Sequence, residues 1–523
     1  MSLANILKQN AKTTDAMTEN GAYAYSVNHL NPMVKWFYMA NNELHNIITS
    51  RDIENRHSPF DVLHTKLTEE IVSRIRMAKN EPPQLHLYGR FLGFLRDPRN
   101  GLGMRSMYRA IMSEVLPSDA DLNILVRYGR YDDLIAIEDA TKDLTLKHNI
   151  QDFIRRTLER EDSSANLLCK WMPSENTHSK TTRRLAKKWM RILGMTPKQY
   201  RKTLTRGRKA MDITEHHLNG EALHTTNYPT VPSNAMTRYS KLFAEKDSER
   251  YAVYVDNVKK GKAKVNVSTT NPVELYTAHR NTISVEEEEL LDERFKLIMQ
   301  NTNHPDIIPV VDLSGSMDEY VTNTVRSSDI ARSISYYLSQ TNKGEYKNLC
   351  IGFGDNAKVL SFENCNGLND VMGLFNSANV GWSTNVEAVF MQLLDYVVMN
   401  NLGEIPPIAI ITDCEFNTTL YRSEYKNESA LMEHIKEMYE KSGVKFPKVI
   451  FWNTQNRSDS IPVLENKDIN VTYLSGFSHN IVDMITTGDF DTTKVLLEKL
   501  NEPVWNEASY LLFPVCDTYP SVS

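Results

Sequence analysis

The chain has 523 residues, 41% hydrophobic and 24% charged, the proportions of an ordinary globular protein long enough for about three domains. A mostly disordered, collagen-like or disulfide-stapled chain is excluded. Lys plus Arg total 60 against 66 Asp plus Glu, a formal charge of -6, so the molecule is no basic nucleic-acid coat and any polyanion site has to be local. Five cysteines, Cys169, Cys350, Cys365, Cys414 and Cys516, form no C-x-x-C pair and have no histidine at metal-like spacing. That predicts reduced thiols. The opening MSLANILKQNAKTTDAM lacks a signal-peptide apolar stretch, and the longest apolar runs, near 307–311 and 408–411, fall far below the ~18 residues that span a bilayer. The expectation is a soluble, intracellular protein without a membrane partner.

Residues 1–30 are polar and carry little pattern, which predicts a flexible N-terminal arm. From Asn31 to Met211 helical periodicity dominates: Val62, Leu63, Leu67, Ile71 and Ile75 recur at helical spacing. Loosely spaced helical pairs here permit a HEAT-like solenoid. Residues 216–282 mix Tyr, Asn, Thr and Lys, and are expected to form an irregular or partly helical connector wrapping one domain onto the other. Ser284 followed by Glu287 is a capping box, and the acidic stretch 286–289 suits a helix N-terminus, with Leu291, Phe295 and Ile298 as its buried stripe. Beyond 301–303, short apolar strands at 307–311, 349–353, 358–362, 408–412, 449–452 and 471–474 alternate with helix-sized stretches near 320–339, 386–399, 427–440 and 479–486. This alternation predicts right-handed βαβ units and a mainly parallel sheet. The expected organisation is multidomain: an arm over 1–30, an all-α helical region over 31–300, an α/β doubly wound, Rossmann-like domain over 301–490, and a C-terminal extension over 491–523.

The strongest chemical signal is Asp312-Leu313-Ser314-Gly315-Ser316, directly after the strand at 307–311. Ligands of doubly wound sheets bind at the carboxyl ends of strands. One carboxylate and two hydroxyls at i, i+2 and i+4 can converge there on one hard cation. Gly381-Trp382-Ser383-Thr384-Asn385, before a helix, and Thr412-Asp413, ending a strand, fall on the same edge. The all-oxygen set Asp312, Ser314, Ser316, Thr384 and Asp413 suits Mg2+ or Mn2+, with waters and an open position for a partner's carboxylate or phosphate. Serines and aspartates also cap helices after strands, so a purely structural role is the competing reading. The pattern resembles the metal-ion-dependent adhesion site of von Willebrand factor A domains, whose D-x-S-x-S, Thr and Asp elements occur in this order and strand context.

Further motifs carry a wider resemblance. Phe451-Trp452-Asn453 and Leu474-Ser475-Gly476-Phe477-Ser478 lie at the last strands, and Arg96-Asp97-Pro98-Arg99-Asn100-Gly101-Leu102-Gly103-Met104-Arg105, Tyr128-Gly129-Arg130-Tyr131-Asp132-Asp133-Leu134 and Lys170-Trp171-Met172-Pro173-Ser174 lie in the helical region. Over roughly residues 30–490 the chain resembles an uncharacterised family of plants, bacteria, phages and giant viruses, in which a helical region precedes a von Willebrand A domain. The architecture is similar to that of the Ro autoantigen with its TROVE module, a ring of HEAT-like helices that binds small noncoding and misfolded RNAs. The resemblance implies RNA binding, and host cytoplasm as the location if the chain is viral or phage-encoded. A departure is Cys414-Glu415-Phe416 after Asp413, which puts an extra carboxylate near the metal edge, in an outer-shell position or as a deterrent to an anionic partner.

Between Arg183 and Lys209 there are eleven Lys or Arg residues and no Asp or Glu, a local field that attracts phosphates. The candidate RNA-binding residues are Arg183, Arg184, Lys187, Lys188, Arg191, Lys198, Arg201 and Lys202, with His178, Trp189 and Tyr200 as rings for base stacking. The competing reading is a solvated cationic face paired with acids such as Glu159, Glu161 and Asp162, with Trp189 in the core. Arg96, Arg99 and Arg105 could clamp phosphate, or cap helices and pair with Asp132 or Asp133. The adjacent His216 and His217 are expected at the surface. No nucleophile elbow, Walker A loop, H-E-x-x-H or G-x-G-x-x-G fingerprint follows a strand. The leading expectation is therefore a non-enzymatic RNA-binding scaffold with a Mg2+-dependent ligand site. Its alternative is a metal-dependent protein-interaction or viral assembly module without RNA, whose partner offers a carboxylate to the metal. A Mg2+-dependent phosphohydrolase using Asp312 and Asp413 ranks last, since no general base is identifiable.

Overall fold

The computed structural model describes residues 16–17, 23–26, 28, 30–49, 66–211 and 214–513, apart from 219, 268–269, 283, 301–305, 323, 403–404, 416–427, 456–459, 462–470, 477–480 and 482–491. The helix expected at 479–486 lies outside the described residues. The chain divides into two compact units, Met1–Ile48 with Thr237–Leu497, and Thr49–Met236 with Glu498–Ser523.

The first unit is built on a six-stranded sheet of β1 (Ile308–Asp312), β2 (Leu349–Phe353), β3 (Ala357–Ser361), β4 (Ile408–Thr412), β5 (Val449–Asn453) and β6 (Val471–Ser475). The spatial order is β3-β2-β1-β4-β5-β6. β1, β4, β5 and β6 are buried along their whole length, as the Val- and Ile-rich runs of a sheet covered on both faces require. β2, β1, β4, β5 and β6 run parallel. Only edge strand β3 is antiparallel to its neighbour. The turn Gly354-Asp355-Asn356, closed by Gly354 N–H donating to Asn356 O at 2.9 Å, is too short for the crossover that a parallel pair needs.

Helices Ser327–Thr341, Val386–Met399 and Glu428–Lys441 supply crossovers, and Leu368–Asn376, not anticipated from the sequence, adds a fourth helix after β3. The first of these starts later than expected because a 3-10 turn, Gly315–Asp318, and a bridge between Tyr320 and Arg326 occupy the chain after β1. The connector from His216 to Thr282, expected to be irregular or partly helical, is largely helical: Ser233–Lys246, Ser248–Lys259 and Pro272–Asn281 precede Val285–Gln300. Buried Arg294 donates to Thr237 Oγ1 at 2.7 Å, and Asp292 Oδ1 accepts from Leu368 N–H at 2.9 Å. These bonds tie helix Val285–Gln300 to helix Ser233–Lys246 and to the start of helix Leu368–Asn376. At the expected capping box the acids pair differently: Ser284 Oγ donates to Glu286 at 2.7 Å and Thr282 Oγ1 donates to Glu287. Within the expected arm, Tyr23–Ser26 pairs antiparallel with Ala16–Met17 and with Ser460–Ile461. Helix Pro32–Thr49 then buries Trp36, Phe37 and Tyr38, and Tyr38 OH accepts from Asn453 Nδ2 at 2.9 Å.

The second unit is helical. Helices Lys66–Met77, Arg105–Val115, Tyr131–Ala140, Leu144–Glu159, Ser163–Trp171 and Pro197–Ala210 pack in succession. Helix Lys180–Ile192 buries Leu185, Ala186, Trp189 and Met190 on one face. The C-terminal turns Pro503–Trp505 and Glu507–Tyr510 lie against helix Pro82–Arg96. Contact is close because Gly89 and Gly93 face them: a Cβ at Gly89 would stand 2.5 Å from Ala508 O. Tyr128 OH donates to Val504 O at 2.7 Å on the same surface. Cys169, Cys350, Cys365 and Cys414 are free thiols.

Candidate functional site

β1 and β4 are neighbours from which the chain leaves in opposite directions across the sheet, so their carboxyl ends form the crevice where doubly wound folds bind ligands. β1 ends on Asp312 and β4 on Thr412, followed by Asp413. Both carboxylates are fully buried. Asp312 Oδ1 accepts from Ser314 N–H at 2.9 Å and Oδ2 from Thr412 Oγ1 at 2.6 Å. Ser314 Oγ and Ser316 Oγ stand 3.2 Å apart. Asp413 Oδ1 accepts from Glu415 N–H at 3.1 Å across a turn in which Cys414 takes φ 60°. Burial, then the charge of Asp413, push Asp312 up to about 7, against the opposing hydrogen bonds from Thr412 and Ser314.

The third segment reaches the same edge. Gly315 N–H donates to Trp382 O at 3.4 Å, and Asn385 N–H donates to Gly354 O at 2.9 Å. Asn385 caps helix Val386–Met399 through Ala388 N–H. Thr384, between them, is buried. Asp355 anchors this loop: its carboxylate accepts from Ser383 N–H at 3.1 Å and from the Ser383 hydroxyl. Gly381, at φ 94°, leaves room for that carboxylate, since a Cβ there would stand 2.1 Å from Asp355 Oδ2. Sequence reasoning placed Thr412 only as a neighbour and missed Asp355; the Gly-Asp-Asn turn after a strand was the available signal.

The segments carrying Asp312, Ser314, Ser316, Thr384 and Asp413 thus meet at one edge, with two buried carboxylates amid hydroxyls. Among the described residues, no group of three or more His, Cys, Asp or Glu could hold a metal ion. Glu415, though buried, therefore does not complete a carboxylate cluster, and the donor set consists of two carboxylates with hydroxyls. That chemistry fits a hard divalent cation that retains water.

The basic segment splits into two groups. Arg184 bonds Asp139 at 2.7 Å, Lys188 bonds Glu138 at 2.7 Å and Asp139 at 2.9 Å, and Arg201 bonds Glu175 at 2.6 Å. Outside the eight candidates, Arg206 pairs with Glu161, and Arg208 donates to the carbonyls of Cys169 and Met172. By contrast, Arg183, Lys187, Arg191, Lys198 and Lys202 are exposed, and no acid among the described residues lies within 4.0 Å of their charged ends. Trp189 and Tyr200 are buried, with Tyr200 OH donating to Pro173 O at 2.9 Å, so neither ring is open to a base. His178 is exposed. Arg96 and Arg109 are buried against Asp133 at 2.8 Å and 2.6 Å, and Arg109 also bonds Asp132 at 2.7 Å. These contacts give Arg96 a structural role, while Arg105 reaches Asp132 at 3.9 Å. His217 Nδ1 lies 2.7 Å from Thr225 Oγ1 at the surface.

Residues 306–508 match a family model described as a domain of unknown function (DUF7788), and residues 159–305 match another domain of unknown function (DUF2828). Neither description names a von Willebrand A domain. Uncharacterized protein L728 of Acanthamoeba polyphaga mimivirus is 25% identical over 486 residues, spanning 84% of this chain and 82% of that protein. A giant-virus relative is thus among the matches, as the resemblance implied. Among solved structures, the Deinococcus radiodurans Ro (RSR) protein is similar over 90% of this chain and 99% of its own, at 13% identity and a TM-score of 0.43. No helix among the described residues is long and apolar enough to cross a membrane.

Proposed function

We propose that this protein is a non-enzymatic binding scaffold of the cytoplasm, whose α/β unit acts as a von Willebrand A-like domain holding Mg2+ or Mn2+. The observation that carries this reading is the burial of Asp312 and Asp413 side by side at the ends of β1 and β4, ringed by hydroxyls. Two buried carboxylates repel one another, and a divalent cation relieves that repulsion. Asp312, Ser314, Ser316, Thr384 and Asp413 would hold it. When bound, the ion supplies an electrophilic position for an oxygen ligand. Calorimetric titration of Mg2+ tests the reading: the full chain binds one equivalent and Asp312→Ala does not, whereas equal heats from both would remove the site.

A second activity, RNA binding, is supported by Arg183, Lys187, Arg191, Lys198 and Lys202, exposed cations with no acid among the described residues within 4.0 Å. Arg183, Lys187 and Arg191 recur every four residues, so they share one helix face. Affinity for a structured RNA pool should fall steeply with salt. No binding at low salt would leave the metal-dependent module without RNA, and salt-independent binding would remove this basic face as the RNA site.

A further inference from the structure

In the helical unit, Arg130 and Lys170 share one aromatic ring. The guanidinium carbon of Arg130 lies 4.7 Å from the Trp171 ring centroid and the Lys170 ammonium 5.7 Å from it, both within reach of cation–π attraction. All three residues are half-buried, and no acid among the described residues lies within 4.0 Å of either charge. The backbone of Arg130 joins this pair to a second cluster, since its N–H donates to Asp133 Oδ2 at 2.9 Å. There the carboxylates are already engaged: Asp133 bonds Arg96 at 2.8 Å and Arg109 at 2.6 Å, and Asp132 bonds Arg109 at 2.7 Å. Arg105 reaches Asp132 only at 3.9 Å.

Arg105, Arg130 and Lys170 are thus positive charges beyond those that Asp132 and Asp133 hold in close ion pairs. The imbalance is felt along the cluster. Burial, then the charge of Arg96, push Arg130 below its ordinary value against the opposing pull of Asp132 and Asp133, and Arg105 adds to the repulsion. Burial, then Arg109, lower Arg105 in the same way. A guanidinium stays protonated at neutral pH even so, and an anion that enters relieves the repulsion. The planar arginine fork presents paired N–H donors to an oxyanion. A carboxylate or a phosphodiester brings one negative charge, whereas a phosphate monoester carries about 1.5 to 2 at pH 7. Against three cations in excess, the monoester is the better match.

We infer that Arg105, Arg130 and Lys170 form a binding site for a phosphate monoester beside Trp171. The site uses no residue of the sheet edge or of the exposed basic helix face, so it stands or falls apart from both. Its ligand is a small phosphorylated molecule or the phosphorylated 5′ end of an RNA. The test follows the phosphorus resonances of inorganic phosphate, adenosine 5′-monophosphate and 3′,5′-cyclic AMP as the full-length protein is added near neutral pH. The two dianions should broaden saturably, and the singly charged cyclic diester should bind several-fold more weakly. Arg130→Gln and Lys170→Gln should each weaken binding about tenfold, whereas changing Arg183, Lys187 and Arg191 together to Gln should leave it intact. Urea melts confirm that the variants are folded. If Arg130→Gln unfolds the helical unit, Lys170→Gln and the more exposed Arg105→Gln carry the test. A 5′-phosphorylated oligoribonucleotide that outbinds its 5′-hydroxyl form, with the difference gone in Lys170→Gln, identifies an RNA end as the source. Equal binding of the two forms, with the monophosphate still bound, identifies a small ligand. No broadening of either dianion, equal affinity for the cyclic diester, or binding indifferent to these substitutions would each overturn the proposal.

Discussion

Thr412 donates its hydroxyl to Asp312 Oδ2 at 2.6 Å in a fully buried position, so Thr412→Val strips that oxygen of a donor without changing side-chain volume. Losing such a bond costs about 1–3 kcal/mol. The variant should melt at lower temperature than the wild type and bind Mg2+ more weakly; unchanged calorimetric and thermal profiles would show that the hydroxyl does not set Asp312. In the helical unit, Asp133 receives Arg96 at 2.8 Å and Arg109 at 2.6 Å, all three side chains being buried. Asp133→Asn leaves two guanidinium groups short of charge, and a loss of about 3–5 kcal/mol is expected from denaturant midpoints. The convergence of Asp312, Ser314 and Ser316 at one sheet edge was legible because a strand followed by D-x-S-x-S encodes the loop locally. Arg184 and Lys188 were harder: their partners Asp139 and Glu138 lie some 45 to 50 residues upstream, a pairing that no periodicity displays. Trp189 was read as a stacking ring or a core residue, and the apolar face it shares with Leu185 and Met190 selects the core.

Helix Lys180–Ile192 presents two kinds of cation, and substitution should separate them. Changing Arg183, Lys187 and Arg191 together to Gln should weaken RNA binding and make the slope of log affinity against log salt shallower by about 2–3, with little change in stability. Changing Lys188 should instead destabilise the unit, since its ammonium reaches buried Glu138 at 2.7 Å. Filter binding over a salt series, alongside urea melts, would check both. Burial alone would raise Asp139, yet its bonds to Arg184 and Lys188 hold it below its ordinary value. A depressed acid stabilises the fold above the unfolded pKa, near ~3.9, and that contribution disappears as pH falls through the lower folded value. Asp139→Asn should therefore flatten the acid limb of stability below about pH 4, as read from urea midpoints. At this scale the strands, the one at 358–362 among them, were legible from apolar runs, whereas helix Leu368–Asn376 and the antiparallel direction of β3 were not. The short turn that joins β3 to β2 sets that direction, and the bond from Leu368 N–H to Asp292 ties the helix down.

Across the whole molecule, both units are assembled from segments distant in sequence. The Tyr23–Ser26 strand belongs with Ser460–Ile461, and the turns from Pro503 to Tyr510 pack on helix Pro82–Arg96. Neither pairing has a local sequence signal, because small residues such as Gly89 and Gly93 reveal a close approach only once its partner is known. Gly89→Ala places a methyl group 2.5 Å from Ala508 O and should release the C-terminal turns from that helix, making them more sensitive to limited proteolysis. Unaltered digestion would mean that the segment accommodates the methyl by shifting. A divalent cation between the ends of β1 and β4 is tested most directly by titrating Mn2+ into the full chain and following the paramagnetic resonance signal of the free ion. One bound Mn2+ per chain is expected, displaced by Mg2+ and lost in Asp413→Asn. An undiminished free-ion signal with the wild type, or equal binding by wild type and Asp413→Asn, would contradict it.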